Sequence, residues 1–389
     1  MKKNTKSYPF RKLHLLYAVS FLMGFQMALG LYVLSSFLKE CSGIDNVGIF
    51  YVIGYIASFY VLINMHYLIK KHGKSTIFLI FLSIKIAALF GMGLFFNSPF
   101  ALVFSVWSIM SGALVWVVLD ILIESYSRDK VTGSIRGVCL TVMNTGVLVA
   151  PFLASWIVEK MGYQTIFFLS ANVTAVATVI VLIFFRKVNH NIRKTKKISE
   201  IFAIMKRRKS LGRIYYVSFL LDLFYAASTV YVPLYMLQLG ISWVQIGTIF
   251  TVMLVPFVFL QYPLGILADK KTGEKEWLLV AIVLISIFTG AISFIESGEV
   301  IVWMGVLFVT RIGAAIIEVM KESYFYKQIG PSDVDLIDFF RTTTSVAYVI
   351  GLGFFSIVLF LIPIQGIFIL LALILSTGLI PLWKLKDTH

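Results

Sequence analysis

The chain is built from apolar runs of about twenty residues, and a run of that length is what a helix needs to cross the hydrocarbon of a bilayer. They fall at 15–38, 47–69, 76–96, 99–123, 137–158, 165–185, 215–237, 244–267, 277–294, 300–320, 342–361 and 364–383, twelve in all. Backbone N–H and C=O groups in lipid must be satisfied within the protein, which leaves helices or a closed barrel. The runs do not alternate and are twice the length of a barrel strand, so they are predicted as helices. Composition agrees: 59% of residues are apolar and only 14% charged, which excludes a soluble domain.

The net charge of +15 raises the possibility of a nucleic-acid partner, so its placement matters more than its size. With the N-terminus in the cytoplasm, thirty of the 34 Lys and Arg residues lie in the N-terminus, the even-to-odd loops and the C-terminus. Lys39 and Lys160 fall outside, while Lys85 and Arg311 lie inside runs. That asymmetry is the positive-inside rule, and it predicts both termini in the cytoplasm. The charge is topogenic, and no nucleic-acid partner is expected. The first run is too long for a secretory h-region and no small-residue cleavage site follows it, so it is expected to stay. Cys41, in an outer loop, and Cys139, within a run, imply neither disulfide nor metal chemistry.

Between runs six and seven, residues 186–213 carry eleven basic residues. Within them "ISEIFAIMKRR" sets Ile198, Ile201, Phe202 and Met205 on one helical face, a pattern that suits an amphipathic helix on the inner leaflet or a solvated linker. The expected division is an N-terminal six-helix bundle at 1–186, a basic cytoplasmic linker at 187–212 and a C-terminal six-helix bundle at 213–389.

The two halves repeat. "VSFLMGFQMA" at 19–28 resembles "VSFLLDLFYA" at 217–226, and "DILIESY" at 120–126 resembles "EVMKESY" at 318–324 at the same offset of 198. His66 to Lys74 runs parallel to Gly265 to Lys275, and Arg136 matches Arg341. Six runs repeated in one orientation describe a pseudo-twofold transporter architecture. The stretch "GILADK" at 265–270, with Gly273 and Lys275 behind it, resembles the Gly-x-Leu-Ala-Asp-Arg/Lys signature of the major facilitator superfamily. The twelve runs and the basic central loop extend that resemblance over the whole chain. The fold it implies is an all-α membrane protein of twelve transmembrane helices in two pseudo-twofold-related six-helix bundles. The second-half motif is one residue longer than the common form, and in the first half Lys70 replaces the carboxylate and His66 the glycine.

The resemblance implies gating roles. Gly265, Asp269, Lys270 and Gly273 would form an inner latch in which Asp269 caps the start of span five near Arg136 and Gly137. A glycine permits close helix approach, and a carboxylate is favoured at the positive end of a helix dipole. Glu124 with Arg136, and Glu322 with Arg341, bracket equivalent inner loops and would cross-link helix ends on closure. "GVLVAPFLA" at 146–154 resembles the Gly-x-x-x-Gly-Pro-x-x-Gly motif in span five of many proton-driven exporters, with Ala150 and Ala154 in place of glycines.

Deeper charges point to a substrate site. Asp222 and Arg311 lie about 14 to 16 Å from the inner ends of spans seven and ten, by helix rise. A lone ion in hydrocarbon is costly, and pairing the two would relieve both. The resemblance places spans one, four, seven and ten around the translocation path. Asp222, Arg311, Gln26, Asp120 and Glu318 are therefore the candidates for substrate binding or proton coupling. Arg311, Glu318 and Glu322 recur at helical spacing, as do Trp116, Asp120 and Glu124 on span four. Lys85, on a peripheral span, is expected to snorkel inward or to pair with span two or four.

The resulting expectation is a secondary active transporter of the cytoplasmic membrane, moving a small solute by alternating access, coupled to protons, and leaning to efflux. The alternatives are an uptake permease for an anionic metabolite and a transporter-like sensor without turnover. A monomer with a small-molecule substrate and the bilayer as partners, and without cofactor or metal, completes it. "GKST" at 73–76 lacks the glycine of a phosphate loop, with Leu68 in its place, and no nucleophile or metal motif of an enzyme is present.

Overall fold

The computed structural model describes residues 10–126, 132–185, 198–261, 263–265, 273–329 and 334–385. Among these every regular element is helical. In chain order they are α1 (Phe10–Leu31), α2 (Leu34–Ser42), α3 (Gly48–Ile63), α4 (Met65–His72), α5 (Lys74–Leu94), α6 (Phe100–Tyr126), α7 (Thr132–Phe184), α8 (Ile198–Arg207), α9 (Lys209–Gln238) and α10 (Trp243–Phe259). There follow α11 (Glu274–Ala291), α12 (Val300–Lys327), α13 (Val334–Phe340), α14 (Thr343–Ala347), α15 (Gly353–Val358), α16 (Ile364–Ser376) and α17 (Leu379–Trp383).

Nine helices among the described residues are long and apolar enough to cross a membrane. One of them, Thr141–Phe184, has 44 residues and holds expected spans five and six, while the shorter apolar helices Gly48–Ile63 and Thr343–Val358 stand where spans two and eleven were expected. Spans five and six both fall within α7, which is two helices joined end to end. The break between them is at Gly162, whose φ of 79° and ψ of 173° belong to a region open to glycine alone.

Other spans are broken in ways that periodicity does not reveal. The first ends at Leu31, and a turn at residues 32–33 separates it from α2. The second breaks at Asn64, where φ −94° and ψ 0° interrupt the helix and Asn64 Nδ2 bonds back to Tyr60 O at 2.9 Å. Span eleven contains a π-helical turn, Tyr348–Leu352, between α14 and α15. Such wide turns inside helices are frequent at functional positions.

The chain forms two compact units, 1–31 with 57–192 and 32–56 with 193–389. The first is built from α1 and α4–α7, with a core of Leu16, Val19, Met23, Phe78, Leu114 and Val118 among others. α1 and α7 come closest where Gly24 faces Met143 and Gly146 faces the backbone of Phe21 and Phe25. Small residues at a crossing let helices approach without lipid between them. Gly146 and the buried Ala150 and Ala154 all belong to the "GVLVAPFLA" stretch.

Residues 32–56 pack with the second unit. α2 lies against α9, Asn46 Nδ2 donates to Ser356 O at 2.7 Å, and the rings of Tyr55 and Tyr348 stack at 4.1 Å. In that unit α9 is the central element, with an unbroken buried run from Ala226 to Met236. α11 packs on α12 and α16, and α10 on α12. On α8, Ile201 and Met205 are buried where the helix meets α9 and α13, while Lys206 and Arg207 are exposed.

Candidate functional site

The polar residues of α9 and α12 make up the site. Ser218, Asp222 and Tyr225 share one face of α9 at spacings of four and three residues, and Arg311, Glu318 and Lys321 share one face of α12 at seven and three. Hydrocarbon-length helices carry such residues only where another side chain or a cavity receives them. All six lie in the second unit.

Arg311 is 3% exposed and Asp222 8% exposed. The Arg311 guanidinium lies over aromatic rings, with Cζ 4.8 Å from the centroid of Phe224 and 5.6 Å from that of Tyr225. Its Nε is buried without a hydrogen-bond partner. The expected ion pair between Asp222 and Arg311 is not formed, and among the described residues neither side chain makes a hydrogen bond or salt bridge. Phe224 and Tyr225 cover the guanidinium, and cation–π attraction replaces part of the lost hydration.

Both charges nevertheless share neighbours. Tyr225 lies within electrostatic reach of Arg311, Asp222 and Glu318, and its hydroxyl donates to Glu318 Oε2 at 2.9 Å. Asp222 is within reach of Tyr55 and Tyr348, and Arg311 within reach of Tyr32.

Lys321 is a functional candidate that the sequence hides among the inner-side charges. It is buried on α12, and its Nζ donates to Ser218 Oγ at 3.1 Å. The hydroxyls of Ser218 and Thr343 are 3.2 Å apart, and Thr343 Oγ1 donates to Phe340 O at 3.0 Å. With the Thr343 proton committed, Ser218 is the donor to Thr343, so the polarity runs from Lys321 through two hydroxyls to a backbone carbonyl. Only its spacing of three residues from Glu318 marks Lys321 in the sequence.

A second cluster, also missed, joins α11 to α12. Glu274, whose side chain is 0% exposed, accepts from Ser323 Oγ at 2.7 Å and pairs with Lys327 Nζ at 2.6 Å. It stands in the first turn of α11, where a carboxylate meets the free N–H groups and the positive dipole end. It follows Gly273 directly, and Ser323 and Lys327 lie four residues apart on α12; those two spacings were its only sequence signal.

The other expected residues are distributed as follows. Gln26 is buried on α1 and Asp120 half-buried on α6, both in the first unit, where Trp116 Nε1 donates to Met27 Sδ at 2.9 Å. Gly265 is helical and Gly273 precedes α11, while Asp269 and Lys270 lie outside the described residues. Glu124 and Arg136 are in α6 and α7, and their side chains are outside what is described. Glu322 is exposed on α12, and Arg341 is half-buried in the turn after α13. Lys85 reaches span four: its Nζ donates to Ser108 O at 2.9 Å and to Ser108 Oγ at 2.8 Å, beside the notch left by Gly112.

Solved structures share this fold. A mutant form of the nucleoside transporter NupG matches with a TM-score of 0.74 at 13% identity, covering 96% of this chain and 99% of its own. An auto inhibited POT family peptide transporter matches with a TM-score of 0.75 at 12% identity, covering 97% and 98%. No relative is found among curated protein sequences. The sequence profile of the Major Facilitator Superfamily matches residues 15–320, and the chain, an all-α multi-pass membrane protein, belongs to that family of transporters.

Proposed function

We propose that the protein is a secondary active transporter that moves a small solute across the cytoplasmic membrane by alternating access, with Asp222 and Arg311 at its substrate site. The observation that carries this reading is a pair of buried, opposite charges that are near common neighbours and leave each other unpaired. A permanent structural pair would be closed by direct contact, because a buried ion without a partner is costly. Charges held apart and ready are what a ligand needs, since binding then supplies the missing partners. Glu318, bonded to Tyr225, and Asp222 are carboxylates able to carry a proton with the solute, and Gln26 and Asp120 add polar groups on spans one and four. The motif at 146–154 inclines the direction towards efflux.

Opening and closing on the inner side is assigned to Gly265, Asp269, Lys270 and Gly273 and to the couples Glu124–Arg136 and Glu322–Arg341. Glu274 with Lys327 and Ser323 ties the neighbouring helix ends.

The test is counterflow in proteoliposomes, with a panel of small solutes and an internal pH dye. Wild type is expected to exchange at least one of them. Asp222→Asn and Arg311→Gln, singly and together, should stay folded and lose exchange. A double variant with normal proton-coupled exchange would remove both residues from the site, and a protein that binds a solute without exchanging it would be a sensor.

The proposed orientation puts Cys41 outside. Burial, helped by the Glu40 charge, pushes its thiol up to about 11. Thiolate is the reactive form, so maleimide labelling from outside is expected to be slow at neutral pH and to rise about tenfold per pH unit until about pH 10. Labelling of residue 41 only from the cytoplasmic side would overturn the orientation. A rate that is flat above about pH 9 would mean that the thiol is not shielded.

A further inference from the structure

Two opposite charges, each more than nine-tenths buried, lie in one compact unit and make no hydrogen bond or salt bridge among the described residues. We propose that the solute is a zwitterion, a small molecule with a free ammonium and a free carboxylate, whose carboxylate meets Arg311 and whose ammonium meets Asp222. This rests on the assignment of both residues to the substrate site.

The balance of charge favours a zwitterion over an ion of one sign. An anion would satisfy Arg311 and leave Asp222 buried and unpaired; a cation would do the reverse. A zwitterion satisfies both and leaves the net charge of the site unchanged, so neither desolvation cost is left uncompensated. Arg311 also has a free donor ready, its buried Nε, and a guanidinium edge receives a carboxylate in a bidentate fashion.

The surroundings fit the two ends differently. Phe224 and Tyr225 lie against Arg311, holding the guanidinium in place. Tyr55 and Tyr348, stacked at 4.1 Å, are near Asp222, and tyrosine faces attract an ammonium group. Tyr225 lies one turn along α9 from Asp222 and 5.6 Å from the guanidinium carbon. An α-amino acid, with its charges about 3 Å apart and a charge-assisted contact of about 2.8 Å at each end, spans roughly 8 Å. A dipeptide or an ω-amino acid spans more. The shared chemistry is the pair of free termini, and the length of the molecule is left to experiment.

The experiment measures the thermal unfolding midpoint of the purified protein with α-amino acids, ω-amino acids and dipeptides. Each is compared with its N-acetyl derivative, which keeps only the carboxylate, and its C-terminal amide, which keeps only the ammonium. At least one zwitterion should raise the midpoint, and each blocked derivative should bind at least tenfold more weakly. In Asp222→Asn the preference should pass to the N-acetyl compound, and in Arg311→Gln to the amide. A blocked compound that matches its parent in wild type overturns the proposal, and so does a panel in which no zwitterion shifts the midpoint. If that blocked compound is also exchanged in counterflow, the transporter reading survives the loss of the zwitterion. If a zwitterion binds as expected but is not exchanged, only the transporter reading falls.

Discussion

Gly24→Ala and Gly146→Ala are each expected to destabilise the protein by about 2 to 3 kcal/mol, although a helical glycine-to-alanine change at an open position is usually stabilising. A Cβ on Gly24 would sit 2.5 Å from the backbone oxygen of Met143, and a Cβ on Gly146 would sit 2.8 Å from both Phe21 O and Phe25 N. Backbone atoms of a packed helix cannot step aside as a side chain does. α1 and α7 would have to separate along their whole crossing, and contact is lost at every layer from Leu16 to Met23. Gly30 is the control: it lies on the same helix with nothing within 4 Å of a built Cβ, so Gly30→Ala should be neutral or stabilising by about 0.5 kcal/mol. Unfolding by denaturant in mixed micelles measures all three. Equal stability for Gly146→Ala and Gly30→Ala would show that the two helices are not in close contact at that point.

Lys327→Met is the second large effect, expected at about 3 kcal/mol. The two partners are unequally buried. Glu274 has no exposed surface, whereas Lys327 keeps 34% of its side chain in contact with solvent. Without the lysine charge, the carboxylate loses an ion-pair partner while it stays in a dry site. Glu274→Gln leaves the ammonium free to rehydrate, and the new amide still accepts from Ser323; about 1 kcal/mol is expected. The same unfolding measurement should rank Lys327→Met as the worse variant. The opposite order would mean that the cation, not the acid, is the buried partner in solution.

The described helices follow the apolar runs because a twenty-residue apolar segment has one solution in a bilayer, and that solution needs no knowledge of neighbours. Where helices stop, bend or join depends on single residues. Gly162 breaks α7 into two helices and Asn64 breaks span two, and such local backbone conformations are weak signals inside a uniformly apolar pattern. The buried charges were legible for a related reason: Asp222, Arg311 and Lys85 interrupt apolar runs, and an ion in such a place has to be received by something. Glu274 and Lys321 were not, since a charge near a span end looks the same in sequence whether it is solvated or enclosed.

By itself, then, the amino-acid sequence determined the class of fold, the helical elements, the internal repeat and which ions lie at membrane depth. Each of these follows from chain-local quantities: run length, composition, spacing and desolvation cost. Only the tertiary structure decided what those ions touch. It placed Lys85 on Ser108 and Lys321 on Ser218, joined Glu274 to Lys327, and surrounded Arg311 with Phe224 and Tyr225 while leaving it unpaired with Asp222. Partner choice depends on helix rotation and register to within an ångström or two, and a lysine that meets a serine has the same sequence as one that meets a carboxylate or water.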